Sequence, residues 1–430
     1  MSMDRRRFTG LFAGLLAGAA TPAIRRADAE PAQGPEAGDV PAPIRNLRPM
    51  TAGISRISAA ERQARIEQAR RLMSEAGLDA LMLEPGSSLY YYTAVRWGLS
   101  ERPFVAVLPA RGELAYVCPG FEEARARELV GGDAEVRVWQ EDESPYRLLA
   151  GILRDRGAAT GRIGVEERAR FFVFDGVRQE APGAQLVRAD QVTTGCRMLK
   201  SAAELALLQR ANDITIAAFR AAFATIHEGM TPPELSRNMT AALSRLGGDD
   251  PGALVGFGVY SAFPHGSVQP QRLREGDIVL LDSGCSIEGY RADITRTTVF
   301  GRPSRRQSEI WNLERRAQDA AFAAARVGAT CASVDDAARG VITAAGFGPD
   351  YRVPGLPHRT GHGIGLDGHE APNFVRGNSL PLAPGMCFSD EPMIAIYGEF
   401  GIRLEDCLYI TEKGPRFFTT QSPAIDRPFE

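Results

Sequence analysis

His358-Arg359-Thr360-Gly361-His362-Gly363-Ile364-Gly365-Leu366-Asp367-Gly368-His369-Glu370 holds three of the five histidines of this 430-residue chain within twelve residues. A lone histidine is more often a satisfied core or surface residue than a ligand. Here glycines flank His362 on both sides and His369 follows seven residues later. Glycine has no Cβ, so Gly361, Gly363 and Gly365 let the backbone and a bound metal come close together.

Outward from this segment lie two acidic stretches. Upstream, the apolar run Ile278-Val279-Leu280-Leu281 ends on Asp282, and Asp293 follows eleven residues later, after a turn at Gly289-Tyr290. Downstream, Glu391 follows a second apolar stretch, and Glu405 lies on the return from a turn at Gly398 to Gly401. A charge at the end of an apolar strand is costly to bury without a partner, although a solvated turn would carry it equally well. The spacing suits adjacent antiparallel strands that bring both carboxylates to one spot. Two such hairpins with the histidine segment between them read as a five-ligand set for two divalent metals: Asp282, Asp293, His362, Glu391 and Glu405. His265, in Phe263-Pro264-His265-Gly266, is a weaker signal, and His227 reads as a solvated helix end.

The bulk composition is ordinary for a soluble globular protein, and the length is natural for two domains. Apolar residues make up 44% and charged residues 24%, with a net charge of −3 and a pI near 6.1. That balance points to neither nucleic acid nor an anionic membrane as partner. The six cysteines are scattered without a C-x-x-C, so neither a disulfide framework nor a structural zinc knot is implied. Residues 1–29 read as a signal peptide. Asp4-Arg5-Arg6-Arg7-Phe8 opens a basic region, Thr9 to Ala23 is small and apolar, and Ala27-Asp28-Ala29 offers a cleavage site. The apolar run is shorter than the about 20 residues a bilayer span takes, so no membrane span remains after cleavage. The paired arginines resemble a twin-arginine signal, which implies a periplasmic or secreted enzyme exported already folded.

Residues 30–57, rich in Pro, Ala, Gly and Arg, read as a flexible linker. Over 58–190 helical and β patterns alternate: Ala59 to Gly77 as helix, then strands at Ala80-Leu83, Phe104-Leu108, Leu114-Val117, Glu135-Val138 and Arg162-Val165. Over 200–430 a helix from Ala202 to His227, a helix capped by Thr231 and a β-rich block at 278–300 precede a second helix pair and a β-rich block at 386–411. The fold class is therefore α/β (α+β), with a second domain of two similar halves.

From about Lys200 to Thr411 the chain resembles the pita-bread metallopeptidases, the family of methionine aminopeptidase, aminopeptidase P, prolidase and the metal-free creatinase. The preceding domain resembles the creatinase-type N-terminal domain, which favours the aminopeptidase P/prolidase branch. The resemblance implies a pita-bread domain with pseudo-twofold halves, and a homodimer. It implies that Asp293 and Glu405 bridge two ions, with Asp282 completing one and His362 and Glu391 the other. The mainly oxygen donor set favours Mn²⁺, with Fe²⁺, Co²⁺ or Zn²⁺ able to substitute. The nucleophile implied is a metal-bridged hydroxide, with Glu391 moving its proton. His265 and His369 are expected to steady the scissile carbonyl, His358 matches a histidine of the proline-specific branch, and Arg403 is expected to organise the site by charge-assisted hydrogen bonds. Of the histidine cluster only His362 is expected on metal.

Where many relatives read Glu-Pro-Gly-Ile-Tyr, this chain has Glu391-Pro392-Met393-Ile394-Ala395. Met393 and Ala395 therefore put substrate specificity in question. Only 14 positions separate Glu391 from Glu405, too few for an insertion carrying a carboxyl-clamping arginine. The leading expectation is an exported Xaa-Pro aminopeptidase acting on peptides with proline second, where the missing N–H blocks ordinary aminopeptidases. The alternatives are an Xaa-Pro dipeptidase (prolidase), a small-molecule C–N hydrolase or lyase, and a binding module on an inactive peptidase fold.

Overall fold

The computed structural model describes residues 40–429. The expected signal peptide, 1–29, and the first part of the expected linker lie outside them. Among the described residues no helix is long and apolar enough to cross a membrane.

The N-terminal region is a mixed sheet with helices packed on it. Its strands are β1 (Ala80–Leu83), β2 (Val105–Pro109), β3 (Ala115–Pro119), β4 (Glu135–Trp139), β5 (Arg162–Val165) and β6 (Gln185–Arg188), in the order β4-β3-β2-β1-β5-β6. β1 and β5 run parallel, whereas β1–β2 and β2–β3 are antiparallel. β1, β2 and β3 are buried along their whole length, as continuous apolar runs at the centre of a sheet require. The preceding helix, Ala59–Ala76, starts at Ser58, whose hydroxyl accepts the Glu61 N–H at 3.1 Å, and stops at Gly77 with φ 64°.

The rest of the chain is built of two similar halves. Each opens with a helix that starts in a reciprocal capping box: Ser201 with Glu204 for Ala202–Phe223, and Ser304 with Gln307 for Arg305–Ala324. Each continues with a second helix, Pro232–Leu246 or Cys331–Ala344, and then an antiparallel sheet. The first sheet holds β7 (Asp249–Phe257), β8 (Ile278–Ile287), β9 (Tyr290–Arg291) and β10 (Ile294–Val299), with β8 between β7 and β10. The second orders β12 (Glu370–Phe374), β11 (Gly361–Gly363), β13 (Cys387–Asp390), β16 (Asp406–Thr411) and β17 (Gly414–Phe417). The hairpin β14 (Met393–Ile396) and β15 (Phe400–Arg403) extends from β13 and β16. A single bridge between Thr295 and Glu405 ties the sheets together, with the Glu405 N–H on the Thr295 carbonyl at 3.2 Å. Beside it the fully buried Arg296 donates to the Glu405 carbonyl at 2.9 Å and to Asp406 at 2.6 Å.

Several local expectations need correcting. Residues 41–57 are not a free linker. Ala42–Arg45 forms a helical turn, Ile44 is fully buried, and the Met50 N–H bonds the Leu246 carbonyl at 2.8 Å. Two apolar side chains, Ile44 and Ile57, are enough to dock a segment whose composition looked disordered. The helix expected to reach His227 ends at Phe223. Thr231 occupies the N-cap position with no side-chain bond. Asp282 lies within β8, opposite Thr295, rather than at its end. Met393 and Ala395, expected to bear on specificity, are fully buried in the core and are absent from the lining of the cavity that holds His265, His358, His362 and Glu391.

The docked segment makes a clear prediction. Replacing Ile44 with Ala should cost about 2–5 kcal/mol of unfolding free energy, the usual penalty for emptying a buried aliphatic site. Urea denaturation monitored by circular dichroism measures it, and a free linker would give no change.

Candidate metal centre and active site

The five expected ligands converge because the two halves meet edge to edge. Asp282 stands on β8 and Asp293 immediately precedes β10, its antiparallel neighbour. Glu391 and Glu405 sit on the two chains of one corner. Below them Asp390 pairs with Asp406 in the five-stranded sheet, and above them Met393 pairs with Arg403 in the β14–β15 hairpin. His362 comes from β11, beside β13.

Ligand atoms fall into clusters within 4.8 Å: Asp282, Asp293 and Glu405 in one, His362, Glu391 and Glu405 in another, and Asp293, His362 and His369 in a third. Asp293 and Glu405 each link the Asp282 cluster to one containing His362, the arrangement expected of bridging ligands. The third cluster differs from expectation, because it brings His369 within ligand reach. Its ring stacks on that of His362, with centroids 3.7 Å apart.

The glycines of the histidine segment serve backbone packing. A Cβ on Gly361 would lie 2.1 Å from the Ser389 carbonyl oxygen, and one on Gly363 would lie 2.5 Å from that of Glu370. β11 is thereby pressed against both neighbours, and His362 is carried into the interior. The His362 Nδ1 lies 3.1 Å from the Gly363 carbonyl, to which it donates, so Nε2 is turned to Glu391 Oε1 at 3.1 Å. The Ser389 hydroxyl accepts the His362 N–H at 2.9 Å and donates to Glu391 at 3.2 Å. Such second partners fix ligand orientation.

Arg403 was expected to organise the site through charge-assisted hydrogen bonds. It is buried, and its guanidinium pairs with Asp282, donates to the Thr295 hydroxyl at 3.0 Å and reaches the Pro264 carbonyl at 3.3 Å. The Thr295 hydroxyl in turn donates a hydrogen bond to Glu405 Oε2 at 2.6 Å. One arginine thus holds Asp282, Glu405 and the segment before His265.

The electrostatics explain what such a site needs. Four carboxylates face one another, with Arg403 and His362 as the cations in direct contact with them. Burial and the charges of its neighbours, Asp282 for Asp293 and Asp293 for Glu405, push both carboxyls well above the ordinary range. Burial opposes charge on His362, but Glu391 overcomes it and raises the imidazole to about 9; His362 in turn holds Glu391 well below the usual carboxylate range. Divalent cations would relieve this repulsion, and an oxygen-rich donor set with one imidazole suits hard or borderline ions. The residues therefore fit a two-ion site.

A cavity of about 560 Å³ opens over these groups, lined by His265, His358, Arg359, His362, His369, Glu391 and Arg403 among others. All the substrate-facing histidines expected from the sequence are therefore brought together. His358 Nδ1 lies 2.7 Å from the Arg359 carbonyl, and its buried Nε2 has no partner among the described residues. Burial keeps His358 below its ordinary pKa; burial and the neighbouring His362 take His369 down to about 4. Both are neutral at pH 7. His227 lies apart, exposed beside Glu234 at 3.7 Å. Sequence reasoning missed Thr295, Ser389 and Arg359. Arg359 directly follows His358, and its guanidinium has no hydrogen-bond or ion-pair partner among the described residues.

Residues 206–412 match metallopeptidase family M24, and residues 65–199 match the Creatinase/Prolidase N-terminal domain. The probable dipeptidase PepE of Mycobacterium tuberculosis is 35% identical over 370 residues, spanning 84% of this chain and 95% of that protein. The chain belongs to metallopeptidase family M24. Its fold is correspondingly close to the crystal structure of dipeptidase PepE from Mycobacterium ulcerans, with a TM-score of 0.79 at 35% identity over 85% of this chain and 97% of that one. The Xaa-Pro dipeptidase of Lactobacillus helveticus is 31% identical over 82% of this chain and 96% of its own length. Membership makes the protein a hydrolase and implies a dinuclear divalent-metal site, for which the clusters above offer candidate ligands.

Metal loading of this M24 protein should be strongly pH-dependent. Ions must displace the protons held by Asp293, Glu405 and His362, the last up to about pH 9. Affinity should therefore rise with pH between 6 and about 9, with protons released on binding. Calorimetric Mn²⁺ titration of the apoprotein in buffers of different ionisation enthalpy measures both. A flat affinity would contradict the ligand assignment.

Proposed function

We propose that this M24 protein is a dimetal Xaa-Pro dipeptidase. The leading expectation was an aminopeptidase on longer peptides, but relatives at 35% and 31% identity are a probable dipeptidase and an Xaa-Pro dipeptidase. The observation that carries the choice is Arg359. A dipeptide, unlike a longer peptide, ends on a carboxylate one residue past the scissile bond, and an unpaired guanidinium on the cavity wall suits that group. The C–N hydrolase or lyase reading rested on Met393 and Ala395, and their burial removes its motive.

Two divalent ions, Mn²⁺ by preference for the oxygen-rich set, would supply Lewis acidity to the scissile carbonyl and to the attacking water. The chain's own groups do the rest. Glu391, ionised and held by Ser389, takes the water's proton and passes it to the proline nitrogen. His369, neutral at pH 7, offers an N–H to the carbonyl oxygen, with His265 on the same wall. The buried Nε2 of His358 keeps an acceptor turned to the site. Arg403 fixes Asp282 and Glu405.

Kinetics on matched Xaa-Pro and Xaa-Pro-amide substrates test this reading. Arg359→Ala should raise KM for the dipeptide by about tenfold, as loss of one charge-assisted bond does, and leave the amide unaffected. Mn²⁺-loaded enzyme that turns over no Xaa-Pro dipeptide would sink the proposal.

We further infer export in the folded state. Arg5-Arg6-Arg7-Phe8 and the apolar run after it support this, and so does the burial of all six unpaired cysteines, which suits folding before exposure to an oxidising compartment. Replacing Arg5 and Arg6 with lysine should leave the protein in the cytoplasm on fractionation, and unchanged export would refute the route.

A further inference from the structure

Among the described residues, the N-terminal region contributes no side chain to the cavity over the candidate metal site, whose lining begins at Phe263. It approaches the cavity histidines through the segment that carries His369. In an open α/β sheet, the crevice past the carboxyl ends of parallel strands is where ligands settle. Here β1 and β5 are parallel neighbours, and the residues just past them, Glu84 to Ser88 and Glu166 to Ala169, wall a cavity of about 240 Å³. The catalytic half fills part of that crevice with its own Asp367. This carboxylate accepts the Ser87 hydroxyl at 2.7 Å and Arg197 at 2.6 Å, with Arg168 at 3.2 Å. Glu370, three residues on, takes Arg197 at 2.5 Å and Lys200 at 2.6 Å. Between the two anchored acids, Arg168 donates to the backbone carbonyl of His369 at 2.9 Å. The His369 ring has no hydrogen bond to a described residue and stacks on His362. Its place is therefore set by its backbone.

We propose that the N-terminal region acts as a positioning element for catalysis, in which Ser87, Arg168 and Arg197 grip the His369 segment through Asp367 and the His369 carbonyl and so aim the imidazole at the scissile carbonyl. This rests on the reading that His369 faces substrate. Arg168 and Asp367 touch neither substrate nor metal and act only through His369. A displacement of about 1 Å at a catalytic group can cost a hundredfold in rate, so even an exposed anchor matters.

A double-mutant cycle on the metal-loaded enzyme tests the inference, with metal content and melting temperature recorded for each variant. Arg168 is 61% exposed, so Arg168→Ala should leave folding and metal content unchanged. It should lower kcat by about five- to tenfold with little change in KM. Arg168→Lys, which retains a donor, should recover part of the loss. His369→Ala should lower kcat by about a hundredfold with metal retained. Adding Arg168→Ala to it should then cost less than about twofold more, because the residue to be aimed is gone. Asp367→Asn should behave as Arg168→Ala does. An unchanged kcat in Arg168→Ala, or the same fold-loss in the presence and absence of His369, overturns the positioning role. The cycle runs on any peptide the enzyme cleaves, so its failure is distinguishable from failure to cleave Xaa-Pro dipeptides.

Discussion

Mutual repulsion among Asp282, Asp293, Glu391 and Glu405 is the constraint to which the rest of the structure answers. Burial and their acid neighbours hold Asp293 and Glu405 well above the ordinary carboxyl range. Their geometry must therefore be enforced by the scaffold before any ion can exploit it. Arg403 answers part of the charge and, through Thr295, ties Asp282 to Glu405. Ser389 does the same for His362 and Glu391. The hydroxyls matter because they orient without adding charge.

Enforcement depends on joining two sheets that have no continuous ladder between them. The Thr295–Glu405 bridge is the seam, and the fully buried Arg296 stiffens it by reaching the Glu405 carbonyl and Asp406 together. A buried pair like this one is weak evidence of stability but strongly specifies an arrangement. Because Asp282 lies opposite Thr295 in β8, the seam residue contacts ligands from both halves. The two helix pairs with their capping boxes lie outside this seam as its frame.

What was legible in the sequence follows from the same physics. Asp, Asp, His, Glu and Glu stood out because each interrupts an apolar or glycine-rich context, where a charge needs a reason. Gly361 and Gly363 stood out too, but for the wrong partner: the groups they admit are the Ser389 and Glu370 carbonyls. Thr295 and Ser389 were invisible, since a hydroxyl in a strand is ordinary until its neighbour across the sheet is known. Residues 41–57 misled because composition weighs every residue equally, whereas docking needed only Ile44 and Ile57. Met393 and Ala395 misled because adjacency to Glu391 in sequence is not adjacency to the cavity. The chain turns at Pro392, and the hairpin leaves the site for the core. Arg359 and Arg168 are two of 50 basic residues, and only their partners, or the lack of them, set them apart.

The acids behind the site show how the charge is confined. Asp390 directly precedes Glu391, and Glu314 lies on the helix Arg305–Ala324; both are fully buried. Burial, reinforced by Asp406 for Asp390 and by Asp390 for Glu314, holds both carboxyls well above the ordinary range, so they stay protonated. Asp406, paired with Arg296, is neutralised in another way. Ionising Asp390 or Glu314 would add negative charge behind the ligands, where no solvent could screen it. Keeping them neutral adds no charge behind the candidate ligands, which face the cavity lined by His265, His358, His369 and Arg359.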